Sequence, residues 1–357
     1  MTTGIEEEPP REITLGVDTH KDIHVAAAFD AMGRVLGTHE FATSAAGYGE
    51  LLAWATQFGT VRRAGVEGTG SWGAGLARHL RAQAVDVREV NRPNRQHRRR
   101  HGKSDTADAI AAGRALLAGD ATAHAKTGDG PVEALRMLRI ARRSADRART
   151  QTANQLRAVI DTAPEAVRAE LRALRVSQIV AQATRFEPGT DLATPLAATQ
   201  FTLRSLAERF ATLARERDAL DAHIATLVAR AAPAGLLQEF GVGPQTATAL
   251  LITAGDNPER LKSEAAFAAL CGVSPIDASS GKQQRHRLNR GGDRQANHAL
   301  WRIVMVRLRH DPATRAYLER RVHDGKTKRE AIRCLKRYVA RRIWRLLGGD
   351  KSVPQTA

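Results

Sequence analysis

Residues 12–43 read EITLGVDTHKDIHVAAAFDAMGRVLGTHEFAT, and this stretch indicates the fold class of the first part of the chain. It contains two runs typical of β-strands, ITLGVD and IHVAAAF, followed by the turn DAMGR and a third run, VLGTHEF. Three strand runs separated by short turns predict a meander. Helical and strand patterns then alternate through VRRAGVEGTG and VDVREV. We therefore predict an α/β domain with a mixed sheet over residues 12–125.

Residues 131–231 have long helical patterns and little strand signal. From Leu206 to Ala231, apolar residues recur at alternating spacings of four and three, interrupted once by Arg217. This heptad pattern fits an antiparallel helical hairpin, a dimerising coiled coil, or a helix packed within an ordinary bundle.

Residues 236–347 are predicted to form a third, mainly helical domain. The segment GVGPQTATALLITAGD resembles a helix-hairpin-helix module, in which a glycine turn and a helix N-terminus offer N–H groups to a phosphate. A polar loop, DASSGKQQRHRLNRGGDR, follows it. We expect a helix over about 294–310 and a basic amphipathic helix over about 327–347.

The charge balance predicts a polyanionic partner, DNA or RNA. The chain has 55 Lys and Arg against 38 Asp and Glu, a net charge of +17. Basic residues concentrate at 92–103, 282–294 and 326–345. The candidate nucleic-acid-binding residues are Arg98, Arg99, Arg100, Lys103, Lys282, Arg285, Arg287 and Arg290.

Other classes of protein lack support in the sequence. No apolar run approaches the ~18 residues that a membrane span needs, and the acidic start MTTGIEEEPPRE is unlike a signal peptide. We therefore expect a cytoplasmic protein. Cys271 and Cys334 show neither CxxC spacing nor clustered histidines, which argues against a zinc site or a disulfide framework.

Four carboxylates fall at the ends of predicted elements. Asp18 ends the first strand and Glu67 ends the fourth, so the two would meet at one edge if these strands are neighbours. Asp105 and Asp108 lie three positions apart, on one face of a predicted helix. Capping is the competing interpretation, because Ser104 can be an N-cap and acids favour the first helical turn.

Four carboxylates at one sheet edge would repel one another unless cations bind between them. Oxygen ligands suit Mg²⁺ or Mn²⁺, and two such ions can support phosphodiester cleavage. We therefore predict a magnesium or manganese site. Its ligands would be Asp18, Glu67, Asp105 and Asp108. We expect the nearby His20 and His24 to support this site or to lie at the surface.

The contexts GVDTHKDIHV, GVEGTGSWG and KSDTADA resemble the RuvC-like, RNase H-fold domain of the DEDD transposases of bacterial insertion sequences, the one-ten family. The segments GVGPQTATALLITAGD, FAALCGVSPI and SSGKQQRHRLNRGGDRQANHALW are similar to the C-terminal transposase domain of that family. Its hallmarks are a serine turn, basic residues and an RGG-type motif. The resemblance spans roughly residues 13–345.

The resemblance implies that the four acids bind metal and that Ser280, which precedes the glycine, is a nucleophile for DNA cleavage and rejoining. It also implies a structured guide RNA, and protomers that assemble through the helical middle into a dimer or tetramer. Ser279 is the competing serine, and a turn role is the alternative for both. Basic neighbours in the loop would stabilise charge on the attacked phosphate.

Two other functions would use the same features. A RuvC-like Holliday-junction resolvase would use the four acids with water as nucleophile, and would not need the serine segment. A non-catalytic nucleic-acid-binding protein would use only the basic helices. The aromatic content is 4%, and Trp301, Trp344 and Tyr338 fall at core-compatible helical positions, so we expect them to pack internally rather than stack on bases.

Overall fold

The computed structural model describes residues 11–90, 104–281 and 286–349. These residues divide into two compact units. The first contains the described residues up to Gly130 together with Ala254–Ala266, and the second contains the remainder. A helix long and apolar enough to cross a membrane is absent from the described ranges.

A five-stranded mixed sheet forms the centre of the first unit, in the order β3-β2-β1-β4-β5. Strands β1 and β2 pair antiparallel, as do β2 and β3, whereas β4 is parallel to both β1 and β5. The predicted meander and mixed α/β domain are confirmed, and the topology is consistent with an RNase H-like fold. The strands are β1 Glu12–Thr19, β2 Ile23–Phe29, β3 Val35–Ala42, β4 Thr60–Glu67 and β5 Asp86–Val90.

Helices cover both faces of this sheet. They are α1 Ala45–Thr56, α2 Ala74–Ala82 and α3 Asp105–Leu117. Alternate strand residues such as Leu15 and Val17 pack in a core with Leu51 of α1 and Leu76 of α2. Strand residues of opposite parity, including Phe29, pack against α3. The unit therefore has a helix–sheet–helix cross-section.

Two glycines allow α3 to lie directly against the sheet. A Cβ atom on Gly16 of β1 would lie 2.2 Å from the carbonyl oxygen of Ala109. A Cβ atom on Gly113 of α3 would lie 2.1 Å from Cε2 of Phe29. Side chains at these positions would force α3 outward. The close contact brings the first turn of α3 towards the carboxyl end of β1.

The second unit contains a long antiparallel helical hairpin. Its helices are α4 Pro131–Asp161, α5 Glu165–Leu171, α6 Val176–Ala183 and α7 Pro195–Ala231. Arg142 of α4 pairs with Asp221 of α7, while Leu156 shares a core cluster with Leu203, so residue numbers rise along α4 as they fall along α7. This is the hairpin that the apolar spacing allows. Association of α7 with another chain stays a prediction.

The rest of the chain is mainly helical. It contains α8 Pro244–Ala254, a 3₁₀ turn at Pro258–Arg260, α9 Glu264–Leu270, α10 Arg294–His310, α11 Pro312–His323, α12 Lys328–Trp344 and a π-helical turn at Arg345–Gly349. A short hairpin of β6 Ile276–Asp277 and β7 His286–Arg287 precedes α10. The two basic helices are confirmed, and α11, which begins at an Asp311 cap, was not predicted.

The expectation that aromatic residues of these helices pack internally is wrong for two of them. Trp301 is 43% exposed and Tyr338 is 50% exposed. Each is only partly covered by a neighbouring ring, Tyr338 by Tyr317 of α11 and Trp301 by His298, with ring centroids 5.7 Å apart in both pairs.

Candidate active site

Parallel pairing of β1 and β4 brings two of the predicted acids to one edge of the sheet. Val17 lies opposite Val66, so the next residues, Asp18 and Glu67, end neighbouring strands side by side. The hydroxyl of Thr19 donates a 2.7 Å hydrogen bond to the main-chain oxygen of Glu67, which ties the two strand ends together. Strand order and register therefore place Asp18 and Glu67 at the same edge of the sheet.

Helix α3 adds the other two predicted acids. The hydroxyl of Ser104 accepts a hydrogen bond from the N–H of Ala107, so this residue caps the helix as the competing interpretation required. Ser104 is thus the N-cap of α3, and this role does not prevent Asp105 and Asp108 from lying near the sheet edge. Asp108 is buried, whereas Asp105 is exposed at the start of the helix.

His20 lies between two of the acids. Its Nδ1 is 3.8 Å from Oδ2 of Asp18, and its Nε2 is 3.8 Å from Oδ1 of Asp105. The three residues offer ligand atoms that all lie within 4.8 Å of one another. This placement is compatible with the expected supporting role of His20, whose two ring nitrogens face Asp18 and Asp105. Glu67 and Asp108 do not belong to this three-residue group. His24 lies on β2, fully buried against Tyr48.

Burial and the other three carboxylates disfavour the ionised form of Asp18. Burial raises the pKa of Asp18 to about 6, the nearby His20 opposes this increase, and Glu67, Asp108 and Asp105 each add to it. Like charges close together disfavour ionisation. A cation would remove this repulsion, and the oxygen-rich donor set suits Mg²⁺ or Mn²⁺. The residues present therefore fit a divalent metal.

Glu89 is an acid that the sequence analysis missed. It lies on β5 opposite Val66, and burial raises its pKa to about 7. The backbone N–H groups of Thr69 and Gly68 donate hydrogen bonds to its carboxylate, and the positive charge of Arg260 also favours the ionised form. Glu89 thus holds the turn that directly follows Glu67. In VREV it is indistinguishable from an ordinary polar strand residue, so no sequence signal marked it.

A cavity of about 200 Å³ lies at this edge of the sheet. Its walls include Glu67 and Glu89, together with Thr19 and the indole of Trp72. Trp72 is 50% exposed. The edge therefore combines acidic groups with an exposed aromatic surface.

The predicted serine lies in a loop of the second unit. Ser280 is exposed, close to the β6–β7 hairpin. The neighbouring Ser279 donates from its hydroxyl and its backbone N–H to Oδ1 of Asp277, and these bonds lower the pKa of Asp277. The two candidate serines therefore differ, because the Ser279 hydroxyl is engaged in a local turn.

The base of this serine loop is closed by backbone contacts. A Cβ atom on Gly292 would lie 2.1 Å from the backbone nitrogen of Gly272, so the RGG motif packs directly against the end of α9. The N–H of Asp293 donates to the carbonyl of Leu270 at 2.7 Å, and the side chain of Asn297 donates to the carbonyls of Cys271 and Gly272. The loop consequently leaves the helical core and returns to it at one point.

Comparison with known proteins connects both halves of the chain to one family. Residues 15–163 match the DEDD family model of IS110 elements, described as "Transposase", and residues 235–319 match "Transposase IS116/IS110/IS902 family". The chain belongs to the IS110 family of DEDD transposases. It is also 35% identical, over 130 residues, to an "Insertion element IS110 uncharacterized 43.6 kDa protein" of Streptomyces coelicolor. That alignment covers 36% of this chain and 32% of the relative.

The IS110 family matches contain the candidate residues of both units. Asp18, Glu67, Asp105 and Asp108 lie within the DEDD match, and Ser280 lies within the second match. Among the candidate basic residues, Arg287 and Arg290 are exposed. The others lie outside the described residues, and they are Arg98, Arg99, Arg100, Lys103, Lys282 and Arg285.

Proposed function

We propose that this IS110-family chain is a transposase that cleaves and rejoins DNA strands of an insertion element. The observation that supports it best is the position of Asp18 at the sheet edge, where burial and, with smaller effects, Glu67, Asp108 and Asp105 raise its pKa. Asp18 and Asp108 are buried, and keeping a buried carboxylate such as Asp18 close to other acids lowers folding stability, a cost that metal-dependent phosphodiester chemistry accounts for. Residues 12–125 would be the RuvC-like catalytic domain.

The four acids would act by holding a divalent cation. Mg²⁺ or Mn²⁺ bound there would supply positive charge against the oxygens of the attacked phosphate. Asp18 and Glu67, held on neighbouring strands, would provide the rigid part of the donor set. Asp105 and Asp108 would complete it from α3, with His20 in contact with Asp18 and Asp105.

Ser280 would be the nucleophile. It is exposed in its loop, whereas the Ser279 hydroxyl is bound to Asp277, whose lowered pKa makes that carboxylate a weak base. Exposed Arg287 and Arg290 lie nearby in the chain and would stabilise charge on the attacked phosphate.

The covalent step conserves the energy of the phosphodiester. The Ser280 hydroxyl loses its proton to the acid cluster in the assembled complex, and its Oγ forms a bond to phosphorus. The bond from phosphorus to one deoxyribose oxygen breaks, and that oxygen takes up a proton. Rejoining is the reverse reaction with the new strand end, so no external energy source is required.

Other parts of the chain would bind and assemble the partners. The helical region 131–231 would join protomers into a dimer or tetramer through coiled-coil contacts, because paired strand exchange needs several active sites. Residues 236–347 would present the serine loop, the helix-hairpin-helix-like segment and the basic helices to DNA. A structured RNA made by the element would guide target choice, as the family resemblance implies.

The test is recovery of a protein–DNA adduct. The full chain is incubated with Mg²⁺, DNA that spans the ends of the element, and RNA transcribed from the flanks of its gene. We expect a phosphoserine adduct at Ser280, which Ser280→Ala abolishes and the matched control Ser279→Ala retains. Either an adduct on Ser279 or cleavage that survives Ser280→Ala would overturn the serine assignment, and the latter would favour a resolvase that uses water.

A further inference from the structure

Trp72 is presented at the edge of the acid cluster rather than packed in the core. The residue is 50% exposed, and its indole lies against the imidazole of His20, with ring centroids 6.3 Å apart and an interplanar angle of 22°. His20 in turn contacts Asp18 and Asp105. An aromatic surface therefore begins one side chain away from the candidate metal ligands.

The turn that carries Trp72 is held rigidly. Gly68 adopts a φ of +68°, and its carbonyl accepts hydrogen bonds from the N–H groups of Ser71 and Gly73 at 2.8 and 3.1 Å. The carboxylate of Glu89 accepts two further hydrogen bonds from the start of this turn. Because the backbone is already ordered, little conformational entropy would be lost when a ligand binds the indole.

The exposure of Trp72 contrasts with other aromatic residues of the same unit. Phe41, Trp54 and Phe58 contact one another in a continuous group. Exposing half of an indole forgoes hydrophobic stabilisation that burial would supply. An exposed aromatic ring beside a phosphate-directed site has the chemistry for stacking on a nucleobase, since every base has an apolar π-face.

We propose that Trp72, supported by His20, stacks on an unpaired base of the DNA strand whose phosphate lies at the acid cluster. This inference rests on the proposed function for its substrate. A base within a duplex is already stacked on both faces, so this surface selects a base that has been unpaired. Stacking would fix the position of the neighbouring phosphate along the strand.

The first test measures DNA binding without cleavage. Single-stranded oligonucleotides carrying one 2-aminopurine are titrated with the full-length wild-type protein, Trp72→Ala and Trp72→Phe, with the 2-aminopurine moved along the strand. We expect fluorescence quenching by the wild-type protein at one position. Trp72→Ala should lose that quenching and bind about 10-fold more weakly, the order of magnitude for loss of one stacked base, while Trp72→Phe retains most of both.

Trp301 provides a matched control. It is 43% exposed and lies against His298 with ring centroids 5.7 Å apart, so Trp301→Ala removes a similar indole–imidazole pair from the second unit. We expect this variant to leave the position-dependent quenching unchanged. An identical loss in Trp301→Ala would show that the signal does not report Trp72, and would overturn the inference.

A substrate-side control separates stacking from structural damage. Removing the base at the quenched position should weaken wild-type binding and abolish the difference between wild type and Trp72→Ala. A difference that persists with every abasic oligonucleotide would overturn the stacking role. If the binding difference between wild type and Trp72→Ala appears only with RNA of the same sequence, the assignment to DNA would be overturned. If the protein shows Trp72-dependent stacking on DNA but does not cleave DNA, the result would contradict the proposed function and leave the stacking inference in place.

Discussion

Replacing Asp18 with Asn should stabilise the metal-free protein at neutral and alkaline pH. Burial and the neighbouring carboxylates raise the pKa of Asp18 from 3.8 to about 6. At roughly 1.4 kcal/mol per pKa unit, ionising this group costs the folded state about 3 kcal/mol relative to the unfolded chain. Asn has nearly the same shape and carries no charge, so the variant avoids this cost.

The sign and pH range follow from the direction of the shift. A folded-state pKa above the unfolded value means that the folded protein binds the proton more tightly. The resulting stabilisation is fully present below about pH 4, decreases as the pH rises through about 6, and is absent above about 7. We therefore expect the free energy of unfolding of Asp18→Asn to exceed that of the wild type by about 3 kcal/mol at pH 8 and by about half of that at pH 5.

The assay is urea unfolding in EDTA at pH 5 and pH 8, followed by a signal from the first unit. Asp22→Asn is the control, because Asp22 lies exposed on the adjacent turn. Adding Mg²⁺ should stabilise the wild type more than Asp18→Asn. A variant no more stable than wild type at pH 8, or an advantage that does not change with pH, would refute the electrostatic account of the site.

Two further substitutions test how the site is held. Gly113→Ala places a Cβ atom 2.1 Å from Phe29, so we expect the free energy of unfolding to fall by roughly 1–3 kcal/mol in urea titrations. Gly49→Ala, where a Cβ atom meets nothing within 4 Å, should instead be neutral or stabilising, and equal effects of the two would contradict this account. Glu89→Ala frees the turn after Glu67 and should weaken Mn²⁺ binding about 10-fold by calorimetry. Glu89→Gln retains a carbonyl acceptor and should restore most of that affinity, whereas unchanged affinity in Glu89→Ala would argue against a positioning role.

Local patterns in the sequence predicted most of the elements of the first unit and the acidic residue type of the site, but not α11 or Glu89. Alternating apolar residues predict β1, a continuous apolar run predicts β2, and Ser104 marks the start of α3, because these signals depend on neighbours within a few residues. Asp18 and Glu67 were predicted as site residues because each is a carboxylate at the end of an apolar strand. The family resemblance contributed Ser280 and the guide RNA, which no local pattern could have indicated.

Which of these groups lie together depends on the tertiary structure. Strand order places β4 beside β1, and the contacts of Gly16 and Gly113 bring α3 close enough for its acids to act on Asp18. Glu89 carries no signal in the sequence, because its role depends on Gly68 and Thr69, which lie about 20 residues earlier in the chain. The periodicity of apolar residues indicates which face of a helix or strand is buried. Which residues of other elements pack against that face depends on strand register and helix packing.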